Sequence, residues 1–200
     1  MPFSTPVKRE LYHHRTVDCK GYKREDGLWD IEGYLLDTKS YTIQNRDRGG
    51  QIAAGEPIHA MGLRITLDED LHIHAVEAVI SESPFNICPR IVGSFKALEG
   101  LKIGPGWTLK TKAMFAGSKG CSHLTELLGP IATTAIQAIW GGASSQSDDG
   151  VRAPGEKPFM LDTCHSLASD GEVVRDFWPE FYKGTDPVEV EPAKKSQPAE

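Results

Sequence analysis

The sequence has little of what marks the commonest functional classes. No run of about 18 apolar residues occurs, so no membrane-spanning helix is expected. The first fifteen residues, MPFSTPVKRELYHHR, contain no apolar stretch of the secretory type, and a cytoplasmic location is expected. Positive charge is not in excess. Lys and Arg number 22 against 28 Asp and Glu, a formal net charge of −6 that argues against nucleic-acid and acidic-membrane partners. Neither GxGxxG nor GxxxxGK[ST] is present, so dinucleotide and P-loop chemistry have no support, and GxSxG and HExxH are missing too. Cysteine is sparse. Cys19, Cys88, Cys121 and Cys164 lie far apart with no CxxC pair, which argues against a disulfide framework.

What is present describes an ordinary globular chain. Its 200 residues are 39% hydrophobic and 25% charged, enough for one domain with its own core. Residues 1–21 are polar and extended. LWDIEGYLLDTKSYTI (28–43) has strand composition, with Gly33 a candidate bulge, and NRDRGGQIAAGEP (45–57) is a loop. HAMGLRITL (59–67) and LHIHAVEAVI (71–80) read as two further strands, and the short DED between them favours a hairpin. Pro89 suits the first position of a helix running to about 98, with Cys88 as its cap. IGPGW (103–107) is a turn, and TLKTKAMFA (108–116) reads as a strand, with an amphipathic helix as the alternative. Leu124, Leu127, Leu128, Ile131, Ala135, Ile136 and Ile139 form a wide apolar helical stripe. Ser122 stands at its start and Pro130 inside it. GGASSQSDDGVRAPGEKP (141–158) is a loop, FMLDTCHSL (159–167) a short apolar segment, and DGEVVRDFWPEFY (170–182) a terminal strand or arm. The expected architecture is α+β, an antiparallel sheet with two or three packed helices. One domain would span 1–183 with an extended N-terminal arm, and 184–200 would be a disordered tail.

The candidate chemistry centres on sulfur, imidazole and carboxylate. Cys88 and Cys121 each stand at a predicted helix start, 33 residues apart, where a helix dipole favours thiolate. His59 opens a strand, His123 follows Cys121 by two residues, and His165 adjoins Cys164. Cysteine sulfur and histidine nitrogen suit zinc or iron. His59, Cys88, Cys121, His123 and Cys164 are therefore the candidate metal ligands, set against the plainer reading of buried thiols and surface imidazoles. Asp30, Glu32 and Asp37 are the candidate acids and bases. Asp30 and Glu32 share a strand face, and Asp37 falls on the opposite one unless Gly33 shifts the phase. Trp29 and Trp107 could line an aromatic pocket with His59, although a buried Trp is commonly just core. His13 and His14 suggest no role.

REDGLWDIEGYLLDTKSY (24–41), IGPGW (103–107) and GCSHLTELLGPIATTAIQA (120–138) resemble a bacterial domain-of-unknown-function family, and the likeness covers most of residues 15–182. It implies a catabolic setting, aromatic compounds included. More distantly, residues 59–100 and 121–139 resemble the hairpin–cysteine–helix stretches of NifU/IscU-type iron–sulfur scaffolds, with Cys88 and Cys121 at two of the scaffold cysteines. The third scaffold cysteine is missing unless His59 or Cys164 replaces it. Three functions compete on this reading. The favoured one is a small metal- or thiol-dependent enzyme, a lyase or hydrolase acting on a small carbon substrate. The others are an iron–sulfur or metal carrier and a structural subunit. The cofactor would be zinc or iron, an iron–sulfur cluster being one form, and a homodimer is one arrangement the apolar helix allows.

Overall fold

The computed structural model describes residues 3–144, 157–158 and 160–185. Residues 145–156 of the expected loop, and the tail from 186, lie outside them. The chain forms two compact units, Met1–Ala143 and Ser144–Glu200, where sequence had suggested one domain through 183.

The first unit is built on a four-stranded antiparallel sheet in the order β1-β2-β5-β6, with strands β1 (His13–Lys23), β2 (Trp29–Lys39), β5 (Pro57–Leu67) and β6 (Ile73–Glu82). Two short strands, β3 (Ile43–Asn45) and β4 (Gly50–Ile52), pair with each other. The period of two along β2 decides its orientation. Trp29, Ile31, Leu35 and Asp37 are buried, while Asp30, Glu32, Tyr34 and Leu36 between them are not. Register then aligns Ile31 with Ile65, Gly33 with Leu63 and Leu35 with Met61 across β5, forming the apolar inner face. The β5–β6 hairpin is as expected. Asp68 closes it by accepting from the backbone N–H of Asp70 and His72, and Leu71 takes a positive φ of 67° at the tip.

Helices α1 (Trp107–Met114) and α2 (Ser122–Ser144) cover the inner face, together with a 3-10 segment, Cys88–Leu98. The core joins Ile31, Leu63 and Ile65 of the sheet to Leu124, Leu127, Leu128, Ile131 and Ala135 of α2. Gly33 makes the close approach possible, since a Cβ there would lie 2.7 Å from Ile131 Cγ1. Trp107 fixes α1 to α2 by donating its indole N–H to the Leu128 carbonyl at 3.0 Å.

Four local readings are corrected. Residues 108–116 are not a strand but lie mostly in α1, because Trp107 and Thr111 bury one helical turn apart and the Thr111 hydroxyl bonds the Trp107 carbonyl at 2.9 Å. The segment after Pro89 is 3-10, and Cys88 lies inside it with Ile87 at the cap position. The strand expected over 28–43 ends at Lys39. In the second unit, 170–182 is no strand. It contains α3 (Glu172–Phe177) and a 3-10 turn, Pro179–Phe181, which Pro179 starts. That unit is organised around Asp162, whose carboxylate accepts from Ser169 N at 2.8 Å and Ser169 Oγ at 2.7 Å.

The α+β class with an antiparallel sheet therefore stands, and the topology adds nothing to the NifU/IscU likeness. No helix among the described residues is long and apolar enough to cross a membrane.

Candidate functional site

The inner face changes character at one end of the sheet. Rows of apolar side chains run from Trp29 to Leu35, and the next inward position on β2 is Asp37, a fully buried carboxylate. A buried charge needs partners, and three elements supply them. Arg15 stands directly opposite on β1 and grips Asp37 as a fork, with Nε 2.8 Å from Oδ1 and Nη2 2.7 Å from Oδ2. His13, two residues earlier on the same strand face, places Nε2 3.1 Å from Oδ1. His59, the β5 partner of Asp37, places Nδ1 3.0 Å from Oδ2. His123, in the first turn of α2, brings Nε2 to 3.6 Å from the same oxygen. Glu126, one turn further along α2, takes the remaining Arg15 nitrogen, Nη1.

Electrostatics follow from this crowding. Burial pushes the Asp37 carboxyl up, but the Arg15 guanidinium, then His59 and His13, outweigh it and hold the pKa at about 2. Burial lowers both inner imidazoles. For His59 the neighbouring Asp37 opposes the effect, while for His123 the nearby His59 and Arg15 add to it. The two rings lie 3.8 Å apart between centroids, tilted by 31°. Both are therefore favoured in the neutral form, the form that binds metals or accepts protons.

Asp37, His59 and His123 each offer one ligand atom, and these atoms all lie within 4.8 Å of one another. Ligand atoms about 2.0–2.2 Å from a common zinc ion sit roughly 3–3.5 Å apart in tetrahedral geometry. The separations from Asp37 Oδ2, 3.0 Å to His59 and 3.6 Å to His123, are close to that. The donor set, two imidazoles and one carboxylate, suits zinc or ferrous iron.

The other predicted residues lie elsewhere. Asp30 and Glu32 are on the opposite sheet face from Asp37, because β2 keeps its phase through Gly33 and shifts register only between Asp37 and Thr38. There Asp30 accepts from Thr66 Oγ1 at 2.6 Å, and Glu32 pairs with Arg64 at 2.7 Å. Cys121 lies beside the site, but its sulfur faces Met61 Sδ at 3.8 Å. Cys88 opens the 3-10 segment that packs on β6, and Cys164 is exposed in the second unit. Among the described residues, no cysteine joins a group close enough to share an ion. Trp29 starts β2, eight residues from Asp37 and so about 26 Å away along the strand. Trp107 is buried in the core, its indole N–H on the Leu128 carbonyl. The open sheet face has a shallow depression of about 210 Å³, lined by Tyr34, Leu36, Ala60 and Val79 among others, with no acid or imidazole in its wall.

Sequence reasoning missed Arg15, Glu126 and the part played by His13. The available signal was the His-x-Arg spacing of residues 13 and 15, which puts both side chains on one face of a strand.

No curated protein and no solved structure matches the chain. Residues 13–137, which include every group around Asp37, match a family described as a protein of unknown function, DUF2889. The chain whose sheet end gathers Asp37, His59 and His123 belongs to that family.

Proposed function

We propose that this chain is a small metal-dependent enzyme acting on a carbon substrate in catabolism, aromatic compounds among the candidates. Asp37, His59 and His123 would hold a zinc or ferrous ion. The observation that carries this reading is the convergence of one buried carboxylate and two half-buried imidazoles, from β2, β5 and α2, within 4.8 Å. Three protein ligands leave at least one position for water or substrate, as catalytic rather than structural sites do. A bound ion would polarise a carbonyl oxygen or activate water, which serves a lyase or a hydrolase.

The remaining residues have definable tasks. Arg15 occupies one position on each oxygen of Asp37 and keeps a second partner in Glu126. It can therefore hold Oδ1 while Oδ2 turns to an ion. His13, partly exposed at the rim, is placed to hold or move a proton near Oδ1. The four cysteines contribute no atom to this group, so a thiolate cluster or carrier has less support than a nitrogen and oxygen centre.

The test is metal analysis with an absorption spectrum, on protein prepared without oxygen in the presence of zinc or ferrous iron. The expected result is one ion per chain, lost in His59→Ala and in His123→Ala with circular dichroism retained, and kept in Cys88→Ser and Cys121→Ser. Metal lost only in the cysteine variants, with sulfide-to-iron bands, would instead establish the carrier. Metal-free protein under every condition would refute the centre.

A further inference from the structure

We infer that the substrate is a carboxylate with a flat apolar body, its anionic group received by Lys39 and its body by Tyr12 and Tyr41. The inference rests on the metal-centre reading for the position of the reacting end.

Register sets the geometry. In the β1–β2 ladder His13 stands opposite Lys39, and Arg15 stands opposite Asp37. Alternation puts all four side chains on one face. Lys39 thus lies one inward position beyond Asp37, about 6.6 Å along the strand, at the outer lip of the site. Its backbone is anchored there, for the Lys39 carbonyl accepts from Gly55 N at 2.8 Å.

Lys39 differs from Arg15 in its pairing. Arg15 is engaged by both Asp37 and Glu126. Among the described residues no carboxylate lies within ion-pair distance of Lys39. Its Nζ stands instead 5.1 Å from the centroid of the Tyr41 ring. Tyr41 in turn meets Tyr12, with ring centroids 5.3 Å apart and planes tilted by 58°. Both tyrosines are well exposed, at 41% and 63%. A contact between Ser40 Oγ and the Leu11 carbonyl ties the N-terminal arm to the end of β2 and keeps the pair together. An ammonium without a carboxylate, beside two exposed aromatic faces, is a receptor for an anion with a flat body.

Charge balance points the same way. Without an ion, Arg15 and Lys39 offset Asp37 and Glu126. A divalent ion would leave the cluster with two uncompensated positive charges, which an anionic substrate complements. With its body on Tyr12 and Tyr41, its carboxylate at Lys39 would be the end of the molecule nearest Asp37 and the imidazoles.

The probe is benzoate, compared with uncharged benzamide, titrated into the zinc-loaded full chain at low ionic strength by calorimetry. Benzoate should bind about tenfold more tightly than benzamide, the ratio expected for one favourable charge contact of roughly 1.4 kcal/mol. Lys39→Met should abolish that preference while leaving zinc content unchanged, and Lys39→Arg should keep most of it. Equal binding of benzoate and benzamide, no benzoate binding, or a preference that survives Lys39→Met would overturn the inference, and stoichiometric zinc in the same samples would leave the metal centre standing. Lys39-dependent benzoate binding to protein that takes up no zinc would do the reverse, sustaining the anion site and refuting the centre.

Discussion

Replacing Asp37 with Asn tests the electrostatics of the site without changing its shape. The carboxyl pKa is held at about 2 against an ordinary 3.8. Each pKa unit corresponds to 1.36 kcal/mol, so the ionised form contributes about 2 kcal/mol to folding at neutral pH. Asparagine forfeits this contribution and turns an amide N–H₂ toward donors that need an acceptor. Breaking a buried ion pair by removing one partner costs about 3–5 kcal/mol. Arg15 is one-third exposed and keeps Glu126, so the lower end of that scale applies. The expected loss at pH 7 is about 2–3 kcal/mol, or roughly 4–12 °C in Tm for a chain of this size. Urea denaturation of chelator-treated protein, followed by circular dichroism from pH 7 to pH 2, would measure it. A carboxyl whose pKa is depressed in the folded state stabilises above its unfolded pKa, and that stability fades as pH falls through the folded value. The gap between wild type and Asp37→Asn should therefore be constant down to about pH 5, shrink steadily below it and be small, though not zero, by about pH 2. Equal stability at pH 7, or a gap at pH 2 as large as that at pH 7, would refute the assignment of Asp37 as a buried, ion-paired carboxylate.

Two further outcomes test how the helix layer is seated. Gly33→Ala places a methyl 2.7 Å from Ile131 Cγ1 in a filled core and should cost about 1–3 kcal/mol in urea denaturation. Ile131→Val added to it should restore part of the loss, and a neutral single variant would show that α2 sits further from the sheet. Trp107→Phe removes the indole donor to the Leu128 carbonyl and should cost about 1–3 kcal/mol by the same assay. A cost no larger than that of an exposed substitution such as Leu109→Ala would show that this bond contributes nothing.

The parts of the fold that sequence revealed were those where local pattern and tertiary demand agree. β5 is a short apolar run and β6 alternates from Val76 onward, and their connection carries a turn-forming Asp. α2 carries an apolar stripe wide enough to be read directly, and Pro130 sits within it without ending the helix. α1 misled because Leu109, Thr111 and Ala113 alternate with lysines as a strand would, yet Leu109 is 79% exposed and the burial follows Trp107 and Thr111. At the site, His59 and His123 were recognisable as candidate ligands, and the period of β2 put Asp37 on the face opposite Asp30 and Glu32. What no local pattern could supply was convergence. Asp37 meets Arg15 and His59 through strand register and His123 through the seating of a helix 86 positions further on. The cysteines drew attention by chemistry alone, and topology put them in different places.

β1 has one consequence for how the site behaves in time. Ten of its eleven residues are exposed, and it pairs on one side only. Edge segments with so little buried surface open locally at a small fraction of the free energy of global unfolding. In such an opening Arg15 and His13 leave together, while Asp37, His59 and His123 stay with the strands and helix that form the core. The carboxylate then faces the imidazoles without its guanidinium counterion, so the charge balance around Asp37 depends on whether β1 is in place.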